Sequence, residues 1–198
     1  MKNSLNTVQA LAAQTARTSA SIEEFQEAFE GRLAALSRGH DLLTSANWGN
    51  TMLRDLIAAC LQPYETEGEV RFHVACDGAL VVPHAALALH LILHELATNS
   101  AKHGALSVSG GQVDITCEMG ADGTYEVAWR ERGGPRIAGP PKRRGFGTIL
   151  IERSAAHDLD GGAVLEYAPD GLSCRIEIAG QHLLTDGASE TGSQGVAG

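Results

Sequence analysis

Residues Pro83 to Gly104, PHAALALHLILHELATNSAKHG, constrain the fold of this chain more than any other stretch. The run has the length and spacing of a long helix. Pro83 suits its first turn, where a missing N–H costs nothing, and Gly104 ends it. Leu89, Ile92, Leu93, Leu96 and Ala97 make most of its surface apolar. Glu95, Asn99, Lys102 and His103 stand at i, i+4, i+7 and i+8, so they share one face. A helix this apolar belongs in an interior, and its polar face is expected to line a cleft. The competing reading is a plain solvated face. His94-Glu95 opens like the zinc motif HExxH, but the second histidine position is Thr98. The two ligands four residues apart that such a site needs are therefore absent. His94 reads as a hydrogen-bonded structural residue.

Around that helix the pattern changes twice. Residues 1–47 read as a helical hairpin. Leu5, Val8, Ala12 and Thr15 recur at helical spacing, Ser21 and Glu24 form a capping box, and Ile22, Phe25, Phe29, Leu33, Leu36 and Leu43 make one apolar stripe. The stripe needs a cover: a second copy of the hairpin, giving a homodimer, or the rest of the same chain. Dimerisation is the expectation. Ser45 to Asn50 carries turn residues and marks a boundary. Residues 48–180 then mix helices (52–61, 83–103, 148–157) with strand-like runs at 69–75, 113–118, 125–130, 163–167 and 173–179. Turns at Ala121-Asp122-Gly123 and Pro169-Asp170-Gly171 make hairpins of the last four strands. That order predicts an α+β sandwich, a mixed sheet covered by helices. Residues 181–198 are polar and small and are expected to be a disordered tail.

Composition excludes several functions. With 43% hydrophobic residues in 198, the chain has enough apolar content for a core and cannot be disordered throughout. A net charge of −9 argues against non-specific nucleic-acid binding. No stretch is long and apolar enough to span a bilayer. Cys60, Cys76, Cys117 and Cys174 form no CxxC pair and fit reduced thiols, and with the lack of a secretory signal they point to the cytoplasm.

Two further clusters accompany the polar helix face. In Trp129 to Pro135, WRERGGP, a strand ends in a carboxylate and meets two glycines. Glu131 could accept hydrogen bonds from an exocyclic amine while glycine lets a flat ligand approach. An ordinary turn is the alternative. In Lys142 to Thr148, KRRGFGT, three cations precede Gly145 and Gly147 at a helix start, where free N–H groups hold phosphates. The spacing matches neither a P-loop nor a Rossmann fingerprint.

In order, the three clusters resemble the N, G1 and G2 boxes of the Bergerat-type ATP-binding fold of histidine kinases, gyrases, Hsp90 and MutL proteins. Within that group the chain resembles the HWE class of bacterial sensor histidine kinases. The class is named for an N-box histidine and a G1-box Trp-x-Glu, here His94, Trp129 and Glu131. HELATNSAKHGALS, WRERGGP, GFGTILIER and the N-terminal KNSLNTVQALAAQT all carry the likeness, over residues 1 to about 180.

The resemblance implies roles. Asn99 coordinates the Mg²⁺ that bridges ATP phosphates, and Glu95 orders metal-bound water or neighbouring groups beside it. Lys102 and His103 face the phosphates. Glu131 binds the adenine amine and Gly133 lets the base pack close. Residues 135–145 form a lid, and Gly145, Phe146, Gly147 and Thr148 support the triphosphate. The implied chemistry is transfer of the γ-phosphoryl group to a histidine, then to an aspartate of a response-regulator receiver domain. The class places its acceptor in a His-Arg-x-Lys-Asn motif. This chain opens Met1-Lys2-Asn3, so the acceptor would fall two positions before Met1. None of the eight histidines replaces it, and His40 sits in ordinary second-helix sequence. Two expectations compete: a fragment of a longer sensor kinase, which is favoured, or a protein that binds ATP and docks regulators without phosphorylating itself. A gyrase- or Hsp90-type ATPase, with Glu95 activating water, is the third reading.

Overall fold

The computed structural model describes residues 2–45, 49–76, 78–120, 122–141 and 145–184. Boundary residues 46–48, Ala121 of one turn, the cations Lys142, Arg143 and Arg144, the side chains of His40 and Leu43, and residues 185–198 lie outside that description.

Helices α1 (Lys2–Thr18) and α2 (Ile22–Ser45) form the hairpin. At the start of α2, Glu24 N–H donates to Ser21 Oγ at 3.1 Å, and the Glu24 carboxylate accepts from Ala20 N–H at 2.7 Å. The returning bond of the capping box thus reaches one residue further back than Ser21. The chain continues through β1 (Thr51–Met52), α3 (Leu53–Leu61), β2 (Phe72–Cys76), β3 (Leu80–Val81) and α4 (Pro83–His103). It then forms β4 (Gln112–Met119), β5 (Tyr125–Arg132), α5 (Phe146–Asp158), β6 (Ala163–Ala168), β7 (Gly171–Ile178) and β8 (Leu183–Leu184).

Five strands make one mixed sheet in the order β2-β4-β5-β7-β6. Only β2 and β4 run parallel, and the other neighbours are antiparallel. Period-two alternation gives the sheet an inward face: Tyr125, Val127, Trp129 and Glu131 of β5 are buried. Their neighbours Ile115, Cys174 and Ile176 join Leu89, Ile92, Leu93, Leu96 and Ala97 of α4 and Ile151 and Ala155 of α5 in one core. The α+β architecture of helices on a mixed sheet is the one expected. α4 is buried on nearly every side, because α2, α3, α5 and the sheet all meet it.

Three expectations change. First, the chain stays structured past 180. Leu183 and Leu184 pair with Val81 and Leu80, and Val82 N–H donates to His182 O at 3.0 Å. His182 is buried and bonds Asp160 at 2.9 Å and His84 at 3.0 Å. These ties hold a segment whose composition reads as tail. Second, Cys76 and Cys117 form a disulfide, while Cys60 and Cys174 are free and buried. The parallel register sets Cys76 directly opposite Cys117 with Cα atoms 4.5 Å apart, a proximity across 41 residues that spacing cannot reveal. Third, the hairpin stripe is divided. Leu11, Ala35 and Leu36 share a second core with Leu91, Phe146 and Leu150 of the same chain, and Phe29 packs against it. Ile22 and Leu33 stay exposed.

The α2–α4 contact is close because position 39 is glycine. A Cβ on Gly39 would meet Leu87 Cδ1 at 2.8 Å and His90 Cδ2 at 3.2 Å. Burial, with Arg38 beside the ring, lowers His90 to about 4. Burial, Arg38, His90 and Arg32 lower His94 to about 4. Cys60 Sγ lies 2.9 Å from His90 Nδ1, yet burial raises this thiol to about 12. The pair is therefore a neutral thiol and a neutral imidazole, not an activated nucleophile.

The sign of the pH dependence follows. Between about pH 6.5 and 4 the unfolded chain holds protons at these two histidines that the folded chain does not. Stability is complete above that window and falls as pH drops through it. By pH 4.5 the urea-derived stability should fall by about 3–5 kcal/mol from its pH 7 value. His94→Leu should remove roughly half of that slope.

Candidate functional site

The three sequence clusters meet at one cavity of about 610 Å³. Asn99, His103 and Gly104 reach it from the end of α4, Glu131 from the end of β5, and Gly145, Phe146, Gly147 and Thr148 from the start of α5. Ile137, Leu165, Tyr167 and Leu172 supply an apolar side. The mixture of one apolar wall and a few converging polar groups is that of a small-molecule site.

Glu131 anchors one end. Trp129 and Glu131 are two apart on a strand, so they share the inward face. Trp129 Nε1–H donates to Glu131 Oε1 at 3.4 Å, and Ala105 N–H donates to Oε2 at 2.8 Å. Burial raises the Glu131 pKa, and the bonds from Ala105, Trp129 and Ser100 oppose that rise. A carboxylate accepts more hydrogen bonds than these, so it retains capacity for a ligand amine.

The glycines here serve close approach. Gly104 is the C-cap of α4 with φ −107°, so it is not there for a left-handed turn. A Cβ on Gly104 would land on the Glu131 carboxylate and 2.9 Å from Ser100 Cα. Gly104→Ala should therefore push the carboxylate off Ala105 N–H and destabilise the fold by about 2–3 kcal/mol in urea titration. The double variant with Glu131→Ala should lose less than the sum of the two single losses, since the clash with the carboxylate is then removed and only that with Ser100 Cα remains. Gly133 does take a positive φ, 69°, in the turn after β5, and its own position is outside the cavity lining.

The α5 mouth forms the other end. Gly145 is its N-cap, with no side-chain cap. The first N–H groups of α5 have no partner within the helix and carry its positive dipole end. Gly147 lies against α4: a Cβ there would stand 2.9 Å from Glu95 Oε2 and 3.1 Å from Asn99 Nδ2.

Two members of the α4 polar face are turned elsewhere. Lys102 Nζ pairs with Glu27 Oε1 of α2 at 3.3 Å on the surface, outside the cavity lining. Glu95 is buried, and Arg32 of α2 holds it, Nε to Oε1 at 2.9 Å and Nη2 to Oε2 at 3.4 Å. A carboxylate clamped at both oxygens is poorly placed to activate water, which weighs against the gyrase- or Hsp90-type reading. Phe146 lines the cavity, but its ring is buried in the hairpin interface with the Arg32 guanidinium carbon 3.7 Å from its centroid.

Arg32 and its hairpin neighbours Thr18, Ser19, Glu24 and Ala28 also line the cavity, and nothing in the sequence marks them for it. Ser100 is hidden in the same way. It is fully buried, accepts from Leu106 N–H at 3.2 Å and bonds Glu131.

A helical hairpin docked on a mixed sheet that helices cover is a fold this chain shares with solved histidine kinases. The histidine kinase domain of the Erythrobacter litoralis blue-light-activated histidine kinase has this fold, with TM-score 0.60 and 15% identity over 89% of this chain and 95% of that one. The longer structure of the same protein gives TM-score 0.64 over 89% of this chain and 58% of that one, at 16% identity. Residues 1–78 match the family model of HWE histidine kinases. Blue-light-activated histidine kinases of Brucella ovis and Brucella abortus are each 36% identical over 174 residues, 86% of this chain. Residues 1–78 thus carry the HWE histidine kinase pattern, and the chain is similar in sequence to blue-light-activated histidine kinases, as its motifs indicate. It matches 35% of the length of those Brucella relatives.

Proposed function

We propose that this chain is the kinase core of a two-component sensor. It would bind Mg-ATP in the cavity, with the γ-phosphoryl group passing to a histidine and then to an aspartate of a response-regulator receiver domain. The observation that carries this reading is the convergence of Asn99, Glu131 and the uncapped α5 start on one cavity.

The residues fit the groups they would hold. The Asn99 amide oxygen is a hard donor suited to Mg²⁺. The N–H groups of Phe146, Gly147 and Thr148 suit phosphate oxygens, and the absent Cβ of Gly147 keeps that helix start against Asn99. Glu131 suits the adenine amine; Gly133, whose lack of a side chain would let the base pack close, lies just beyond the lining. His103, exposed at the end of α4, lines the cavity and would donate to a phosphate, whereas Lys102 is engaged by Glu27 outside the lining. Glu95, with both oxygens held by Arg32, would order the metal's surroundings only through that guanidinium. Magnesium, when bound there, would supply charge neutralisation for the phosphoryl group. The protein's own share is placement: it orients the phosphate chain, excludes water with the hairpin wall and supplies fixed N–H dipoles.

The hairpin is the surface on which a receiver domain would dock. Its exposed Ile22 and Leu33 are what a second copy would cover, and sedimentation would report the dimer. No helix among the described residues is long and apolar enough to cross a membrane. Titration calorimetry tests the core of the proposal. Mg-ATP should bind in one-to-one ratio, and EDTA should weaken it by an order of magnitude or more. No heat with Mg-ATP, in a protein shown to be folded, would overturn the reading.

A further inference from the structure

We propose that Arg32 is the residue through which the hairpin reads the terminal phosphate of a nucleoside triphosphate, and that Glu95 holds its guanidinium in place when no such phosphate is there. The inference rests on the reading of the cavity as a nucleotide site. It assigns a role to a residue of the hairpin, outside the ATP-binding domain.

The geometry carries it. Arg32 is largely buried, with 14% of its side chain exposed, and it is held from three sides. Glu95 of α4 takes Nε and Nη2, Thr15 of α1 accepts from Nη1 at 3.3 Å, and the ring of Phe146 at the start of α5 lies beneath. Thr15 is itself fixed, donating to Leu11 O at 2.6 Å. Arg32 nevertheless lines the cavity together with Asn99, Gly145 and Gly147. Its cation therefore stands beside the helix mouth that suits phosphates, and Glu95 is one helical turn from Asn99. A guanidinium has more donors than the three used here, so a phosphate could be bound without first breaking the Glu95 pair.

A buried pair that merely pins the hairpin to the ATP domain is the competing account. The two differ in what they predict for ATP against ADP. A pin affects both nucleotides alike. A group that reads the terminal phosphate affects ATP alone, because ADP lacks the oxygens that it would bind.

Arg32→Ala alone leaves a buried carboxylate unpaired and risks misfolding. The comparison is therefore between Glu95→Gln and the double variant Arg32→Ala/Glu95→Gln, which cancels the loss of Glu95 itself. Calorimetry of Mg-ATP and Mg-ADP on both variants and on the parent chain gives the ratio of affinities, and thermal melts show that each is folded. The double variant should lose about tenfold in its ATP-to-ADP ratio relative to Glu95→Gln, with ADP affinity unchanged within about twofold. Equal ratios in the two variants, whether both affinities persist or fall together, would overturn the role of Arg32 while leaving the nucleotide site intact. Absence of nucleotide binding in the folded parent chain would overturn both.

Discussion

Asn99→Ala is expected to weaken Mg-ATP binding by about a hundredfold while leaving the melting temperature nearly unchanged. Asn99 is half-buried at the cavity, and its methylene adds little to the core. Its amide oxygen, by contrast, would be the protein's one direct hold on the metal. Without it, magnesium would be tied to the chain only through phosphates and water, which Mg²⁺ retains readily. The measurement that isolates this effect is calorimetry with and without EDTA. The parent chain should lose affinity when the chelator is added. Asn99→Ala should bind weakly in both conditions, with no further loss. An Asn99→Ala protein that binds Mg-ATP as the parent does would show that the metal is held elsewhere.

Trp129→Ala is expected to cost about 4 kcal/mol of stability, read as a shift in the urea midpoint. Trp129 is fully buried at the centre of the sheet, opposite Ile115 of β4 and Cys174 of β7. Truncation would leave a void that the flanking strands cannot close without breaking register. It would also remove the indole N–H from Glu131, whose carboxylate is already pushed up in pKa by burial. A domain of this size typically has about 5–15 kcal/mol in hand, so much of its margin would go. Trp129→Phe should recover more than half of the loss, because most of the ring volume returns while the hydrogen bond does not. A Trp129→Ala protein within about 1 kcal/mol of the parent would mean that the Trp-x-Glu pair serves the ligand and not the core.

Much of the site was legible because its parts obey short periodicities. Helical spacing places Glu95 and Asn99 on one face of α4, and strand alternation places Trp129 and Glu131 on one face of β5. Helix α5 begins at Phe146, two residues before the expected Thr148, because Gly145 is already the cap. The function of Gly104 was half legible: the helix does end there, but the glycine is needed because Glu131, 27 positions on, lies against it. No local rule contains that distance.

The amino-acid sequence alone determined the main helices and the five longer strands, the inward face of each, and part of the cavity lining, namely Asn99, His103, Glu131 and residues 145–148, because those follow from repeats of two and 3.6 residues and from turn chemistry. Tertiary structure alone decided which surfaces meet. It docked α2 on α4 over Gly39, clamped Glu95 with Arg32, buried the Phe146 ring, set Cys76 against Cys117 and drew Leu183 and Leu184 into a strand. Each of these depends on contacts between residues far apart in the chain. Such contacts form only where the packing of several elements leaves room for them, and no single segment records that room.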